Sequence, residues 1–190
     1  MKNAMLSPRF IFVTSAVVLT VVSRIITVSA ASLYPDLGNF TMLGAMALFA
    51  GACMPQRWMG LVIPLAAMFI TDIFIGFHNT MWAVYLSFGL IALLGWGIRS
   101  KQTLLSIAGM SLVSALIFFF ITNSAMWVVG FFIPASERFY GTGAADLLAA
   151  LEAGIPFFSY GTLPSQFIFG AIFFGAYHLA RVRKPSLIRI

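Results

Sequence analysis

Apolar residues along this chain fall into six runs separated by short polar breaks: 10–33, 40–54, 58–77, 81–98, 104–122 and 163–180. A membrane-crossing helix needs about 20 mostly apolar residues. All the runs but the second approach that length. The pattern predicts an all-α polytopic membrane protein, a six-transmembrane-helix bundle. The second run either lies near the membrane normal or extends into its flanks. Residues 124–133 are apolar too; they either prolong the fifth helix or form a bent or interfacial piece after Asn123. The runs occupy most of the 190 residues, so 1–190 reads as a single transmembrane domain.

The longest connection, 134–162, carries a weaker pattern. Leu147, Leu148 and Leu151 share one face at helical spacing. Gly154 and Pro156 act as stop signals. These features predict a short external amphipathic helix between helices five and six. No internal repeat supports an inverted-repeat transporter.

Charge orients the runs. Lys2 and Arg9 precede the first; Arg57 stands between the second and third; Arg99 and Lys101 stand between the fourth and fifth. Arg181, Arg183, Lys184 and Arg189 follow the last. These nine of the eleven basic residues mark alternate connections, which the positive-inside rule assigns to the cytoplasm. Arg24 and Arg138 are the exceptions, and Asp36, Glu137, Asp146 and Glu152 occupy the opposite side. Both termini are therefore expected in the cytoplasm and the chain in the cell (inner) membrane. An odd number of spans would put one basic end on the wrong side.

Composition adds little beyond this. Only 8% of residues are charged, against about 25% in soluble domains. A net charge of +6 would point to nucleic acid in a soluble protein. Here the bases flank apolar runs, so the partner is the lipid bilayer and no nucleic acid is expected. The basic start followed by an apolar stretch also fits a signal peptide with Ala30 near its cleavage site. Arg24 interrupts that pattern, and the segment reads as a retained first helix. A lone cysteine, Cys53, builds neither a disulfide nor a cysteine-rich metal site.

Candidate chemistry begins with Arg24 and Asp72, the ionisable residues inside spans. Such residues face a partner or a polar cavity. Both helices run outward, and both residues stand about 21 Å up a core about 30 Å thick. Equal depth permits an ion pair, which either braces the helices or lines an outward-facing site. Asn39, His78, Asn79, Trp82, Tyr85, Asn123 and Trp127 gather at the same end. They read as an aromatic belt or as the walls of a small-molecule pocket. His78 and His178 lie at opposite ends, so no metal site and no cofactor site is expected. A Ser111–His178 intramembrane protease lacks the second glycine of its motif and sits away from the polar cluster. No phosphate loop or paired-carboxylate motif appears. The chain is expected not to be an enzyme. Gly44, Ala47, Ala50, Gly51 and Ala52 make the second helix small-faced, for internal packing or for a partner.

Three stretches carry a family resemblance: Asn39-Phe40-Thr41-Met42-Leu43-Gly44 and onward to Ala52, Thr71-Asp72-Ile73-Phe74-Ile75-Gly76-Phe77-His78, and Ile121-Thr122-Asn123-Ser124-Ala125-Met126-Trp127. They resemble a family of small uncharacterised bacterial integral membrane proteins. Size, six helices and an external pocket distantly resemble the substrate-binding S components of energy-coupling-factor vitamin transporters. That resemblance implies a vitamin captured from outside and docking on an energy-coupling transmembrane subunit with ATPases. The usual docking alanines, four apart on the first helix, are replaced here by Ala16 and Thr20. The thiolate of cobalamin-binding relatives has no counterpart, because Cys53 is on the inner side. The expected function is small-solute or vitamin uptake, with substrate bound by Arg24, Asn39, Asp72, His78, Asn79, Trp82, Tyr85, Asn123 and Trp127 under 134–161. The alternative is a non-transporting membrane scaffold or assembly protein, in which the ion pair only holds helices together.

Overall fold

The helices form where the apolar runs place them, and their lengths decide the architecture. A computed structural model describes residues 8–54 and 56–183. The basic residues Lys2, Lys184 and Arg189 lie outside the described residues. Helices α1 (Pro8–Ala30), α2 (Leu43–Cys53), α3 (Arg57–Ile75), α4 (Met81–Gly97), α5 (Leu104–Val129), α6 (Ala144–Pro156) and α7 (Leu163–Arg183) follow in order. No strand occurs among the described residues. Among the described residues, three helical stretches are long and apolar enough to cross a membrane: Arg57–Ile75, Leu104–Val129 and Ala144–Val182.

The second run resolves in an unexpected way. α2 has 11 residues, about 16 Å, half of a bilayer core. It is also the hub of the bundle, packed by α1, α3, α4, α5 and α7. Leu43, Ala45, Met46, Ala47, Leu48, Phe49 and Ala50 are wholly buried. Small residues make this possible. Gly51 meets Gly95 of α4 and Gly60 of α3 so closely that added Cβ atoms would collide with facing backbone. The small face is thus filled internally by α3 and α4. Phe49 stacks among Phe173, Phe174 and Tyr177, with ring centroids 5.4–5.7 Å apart, and fixes α2 to α7.

α2 starts deep because α1 draws its leader inward. After a 3-10 turn at Pro35–Leu37, the Thr27 hydroxyl donates to the Phe40 carbonyl at 2.9 Å. The Met42 N–H donates to Ser23 Oγ at 3.2 Å. The non-helical leader lines a cavity through Asn39 and Thr41.

The segment 134–162 contains the expected short helix, α6, but its end and its buried face differ from expectation. α5 continues through 124–129, about 39 Å in all. α6 then returns antiparallel along it and runs past Gly154 and Pro156, through a π-helical stretch at Phe157–Thr162, into α7. Neither stop signal stops the helix, and each has a physical reason. Gly154 is a contact glycine, because any side chain there would overlap the Asn123 carboxamide. Pro156 removes one N–H, and the wider π turn absorbs the irregularity. The three leucines do not share the buried face either. Ala150 and Gly154 form it, Leu147 and Leu151 flank it, and Leu148 is exposed.

Candidate functional site

Asp72 is the most costly residue in the bundle to bury, and the fold satisfies it from two sides. It sits on α3 with no exposure. Arg24 Nη2 of α1 donates to its Oδ1 at 3.1 Å, and the Tyr85 hydroxyl of α4 donates to its Oδ2 at 2.9 Å. An ion out of water is tolerated when paired and fully hydrogen-bonded. The triad ties α1, α3 and α4 together.

Arg24 has a second neighbour besides Asp72. Beside it lies a partly open cavity of ≈ 20 Å³, lined by α1, α2 and its leader, α4, α5, Thr162 and α7. Its polar lining is Arg24, Asn39, Thr41, Ser114, Thr162, Ser165 and Gln166; Gly44, Phe88, Ile91 and Phe118 complete the wall. About 10–15 Å³ of such space admits one water, so the cavity has room for one or two waters or one small polar group.

The hydrogen bonds around it are incomplete. Ser114 Oγ donates to the Met110 carbonyl at 2.6 Å, and Ser165 Oγ donates to the Thr162 carbonyl at 3.0 Å. Arg24 Nε and Gln166 Nε2 are buried donors with no partner among the described residues. A buried donor left unpaired costs about 1–3 kcal/mol, so two against one cavity call for an acceptor there. The local backbone explains the placement. The π stretch sets Thr162 at the wall and brings Gly161 against Asp36 and Asn39, where a Cβ would stand 3.1–3.2 Å from their atoms. Gly44 leaves room for Gln166, whose Oε1 occupies the place of a Cβ.

The expected site residues separate into groups. Arg24 and Asn39 line the cavity, and Asp72 and Tyr85 hold Arg24 from behind. His78 and Asn79 are exposed at the α3–α4 turn, where His78 Nδ1 lies 3.1 Å from Thr80 Oγ1. Trp82 is about half exposed. Asn123 Nδ2 donates to the Phe119 carbonyl at 2.7 Å, and Trp127 Nε1 donates to the Gly143 carbonyl at 3.0 Å. Both serve the α5–α6 seam. Sequence reasoning missed Thr41, Ser114, Thr162, Ser165 and, above all, Gln166. Its signal was present, since it is the one glutamine inside an apolar run and intramembrane polar side chains seek partners. No three of His, Cys, Asp and Glu gather as a metal site among the described residues.

These features define an all-helical protein with helices apolar enough for a membrane and a polar cavity inside the bundle. The chain belongs to a family of unknown function (DUF6580), whose model matches residues 5–187. No curated protein and no solved structure matches it.

Proposed function

We propose that this chain is a six-span inner-membrane protein, both ends cytoplasmic, that takes up a small polar solute from the outer face. The observation that carries the reading is the pair of unpartnered donors, Arg24 Nε and Gln166 Nε2, on two residues that line one cavity. A solute bearing an acceptor would complete both. The cavity admits a functional group rather than a whole vitamin, so an S-component-like protein would hold the rest of its substrate only after the 31–42 segment parts from Gly161. An energy-coupling transmembrane subunit with ATPases would not meet Ala47 or Ala50, which are buried. It would have to dock elsewhere, or the protein reorients alone.

Native mass spectrometry of the full chain, released from mild detergent, tests this reading. A co-purifying small molecule, lost in Gln166→Leu, is the expected result. Bare protein under every release condition overturns it. The scaffold reading has its own support, because the cavity has only ≈ 20 Å³ of space and the ion triad braces three helices. Bare protein with stably bound partner subunits is its signature.

Topology is tested separately. In a Cys53→Ala background, Ser136→Cys is expected to react with an impermeant thiol reagent in intact cells. Ser100→Cys, beside Arg99 and Lys101, reacts only after permeabilisation. Equal labelling of both from outside contradicts six spans with inner termini.

A further inference from the structure

We infer that the cavity is a carboxylate site and that the solute taken up is a small organic acid. This rests on the uptake reading above and narrows it. Three independent features of the cavity favour a negative charge. Its one ionisable lining residue is Arg24, while Asp72 stands behind it with both oxygens bonded. Gln166 is 3% exposed and has an unpaired Nε2. The first turn of α2 reaches the cavity at Gly44, beside the Gln166 carboxamide, and its N-cap Met42 supplies no side-chain acceptor.

The chemistry follows from these groups. The first N–H groups of a helix have no intrahelical acceptor and carry a positive partial charge. Helix N-termini with extra donors are ready-made anion sites. The short α2 matters here, because a helix of full span would place this terminus at the membrane surface. Instead it ends beside Arg24, in low dielectric, where a charge-assisted hydrogen bond is about twice as strong as a neutral one. A carboxylate offers two acceptor oxygens in one plane, enough for Arg24 Nε and Gln166 Nε2 together, and its headgroup matches the space of one or two waters.

The test uses the full chain in lipid nanodiscs and follows the thermal midpoint. Sodium acetate, acetamide of nearly the same shape, and sodium chloride at equal ionic strength are the probes. Acetate is expected to raise the midpoint at concentrations at least tenfold below those needed for acetamide or chloride. Gln166→Leu is expected to weaken the acetate effect tenfold or more. Gln166→Glu, which places a carboxylate of the chain's own there, is expected to raise the midpoint without ligand and abolish the response. Acetamide or chloride matching acetate overturns the carboxylate assignment. So does an acetate response that survives both Gln166 variants. A silent acetate titration with a neutral molecule seen by mass spectrometry removes this inference and leaves the uptake reading standing. A silent titration with bare protein removes both.

Discussion

Asp72→Leu is expected to destabilise the protein by about 3–5 kcal/mol, because it strands the Arg24 guanidinium in a low-dielectric interior. Arg24→Met should do similar damage by stranding the carboxylate, which is fully buried. The combined change removes both charges and should recover most of the loss, since an ion pair replaced by apolar groups of similar volume is often neutral. Unfolding of detergent-solubilised protein by denaturant provides the three numbers. A double variant as damaged as the sum of the singles contradicts the pairing at 3.1 Å. Tyr85→Phe forms a fourth arm. It leaves Asp72 Oδ2 without its donor and should cost about 1.5–3 kcal/mol, the range for hydrogen bonds to charged groups. The cycle also separates brace from site. A folded double variant that no longer binds solute shows that Arg24 serves the cavity; one that still binds shows that the pair only joins α1 to α3 and α4.

The pair was legible in the sequence for a simple reason. Helical rise is constant, so two charges equally far into parallel runs sit at equal depth, and the membrane penalises any other outcome for them. Helix positions were legible on the same ground, because apolar run length tracks the element. What the sequence hid depends on neighbours. Gly154 carries the same letter whether it ends a helix or receives Asn123 across a helix contact. Pro156 likewise ends most helices, and only the π turn after it lets this one continue. The depth of α2 was hidden because it is set by Ser23 and Thr27, polar residues that otherwise look like ordinary helix filler. The candidate cavity depends on that depth, so Thr41, Gly44 and Gln166 could not be grouped from spacing alone. His78, Asn79 and Trp82 lie at the α3–α4 turn and the start of α4, and none of them lines the cavity.

Gly51→Val and Gly95→Val are expected to be among the most damaging single changes in the chain. A Cβ on Gly51 would overlap the Ala92 carbonyl oxygen and lie 3.1 Å from Gly95 Cα; one on Gly95 would overlap the Leu48 carbonyl oxygen and lie 2.9 Å from the Ala52 nitrogen. These obstacles are backbone, which cannot swing aside as a side chain can, so α2 and α4 must move apart. Overpacking of this kind costs about 1–3 kcal/mol for an alanine and more for a branched side chain. Gly89→Ala in α4 and Gly109→Ala in α5 are the controls, since a Cβ at either meets nothing within 4 Å. There the loss of backbone freedom in the unfolded chain should stabilise by about 0.5–1 kcal/mol. Thermal midpoints of the four variants should therefore split by sign. A Gly51 variant that behaves like the Gly89 variant would show that the two helices are not in backbone contact. The consequence reaches the cavity as well. Gly44 lies on the same short α2 and Thr41 in the segment leading into it, so separating α2 from α4 shifts the cavity wall. Solute binding should weaken even in Gly51→Ala, where the fold survives.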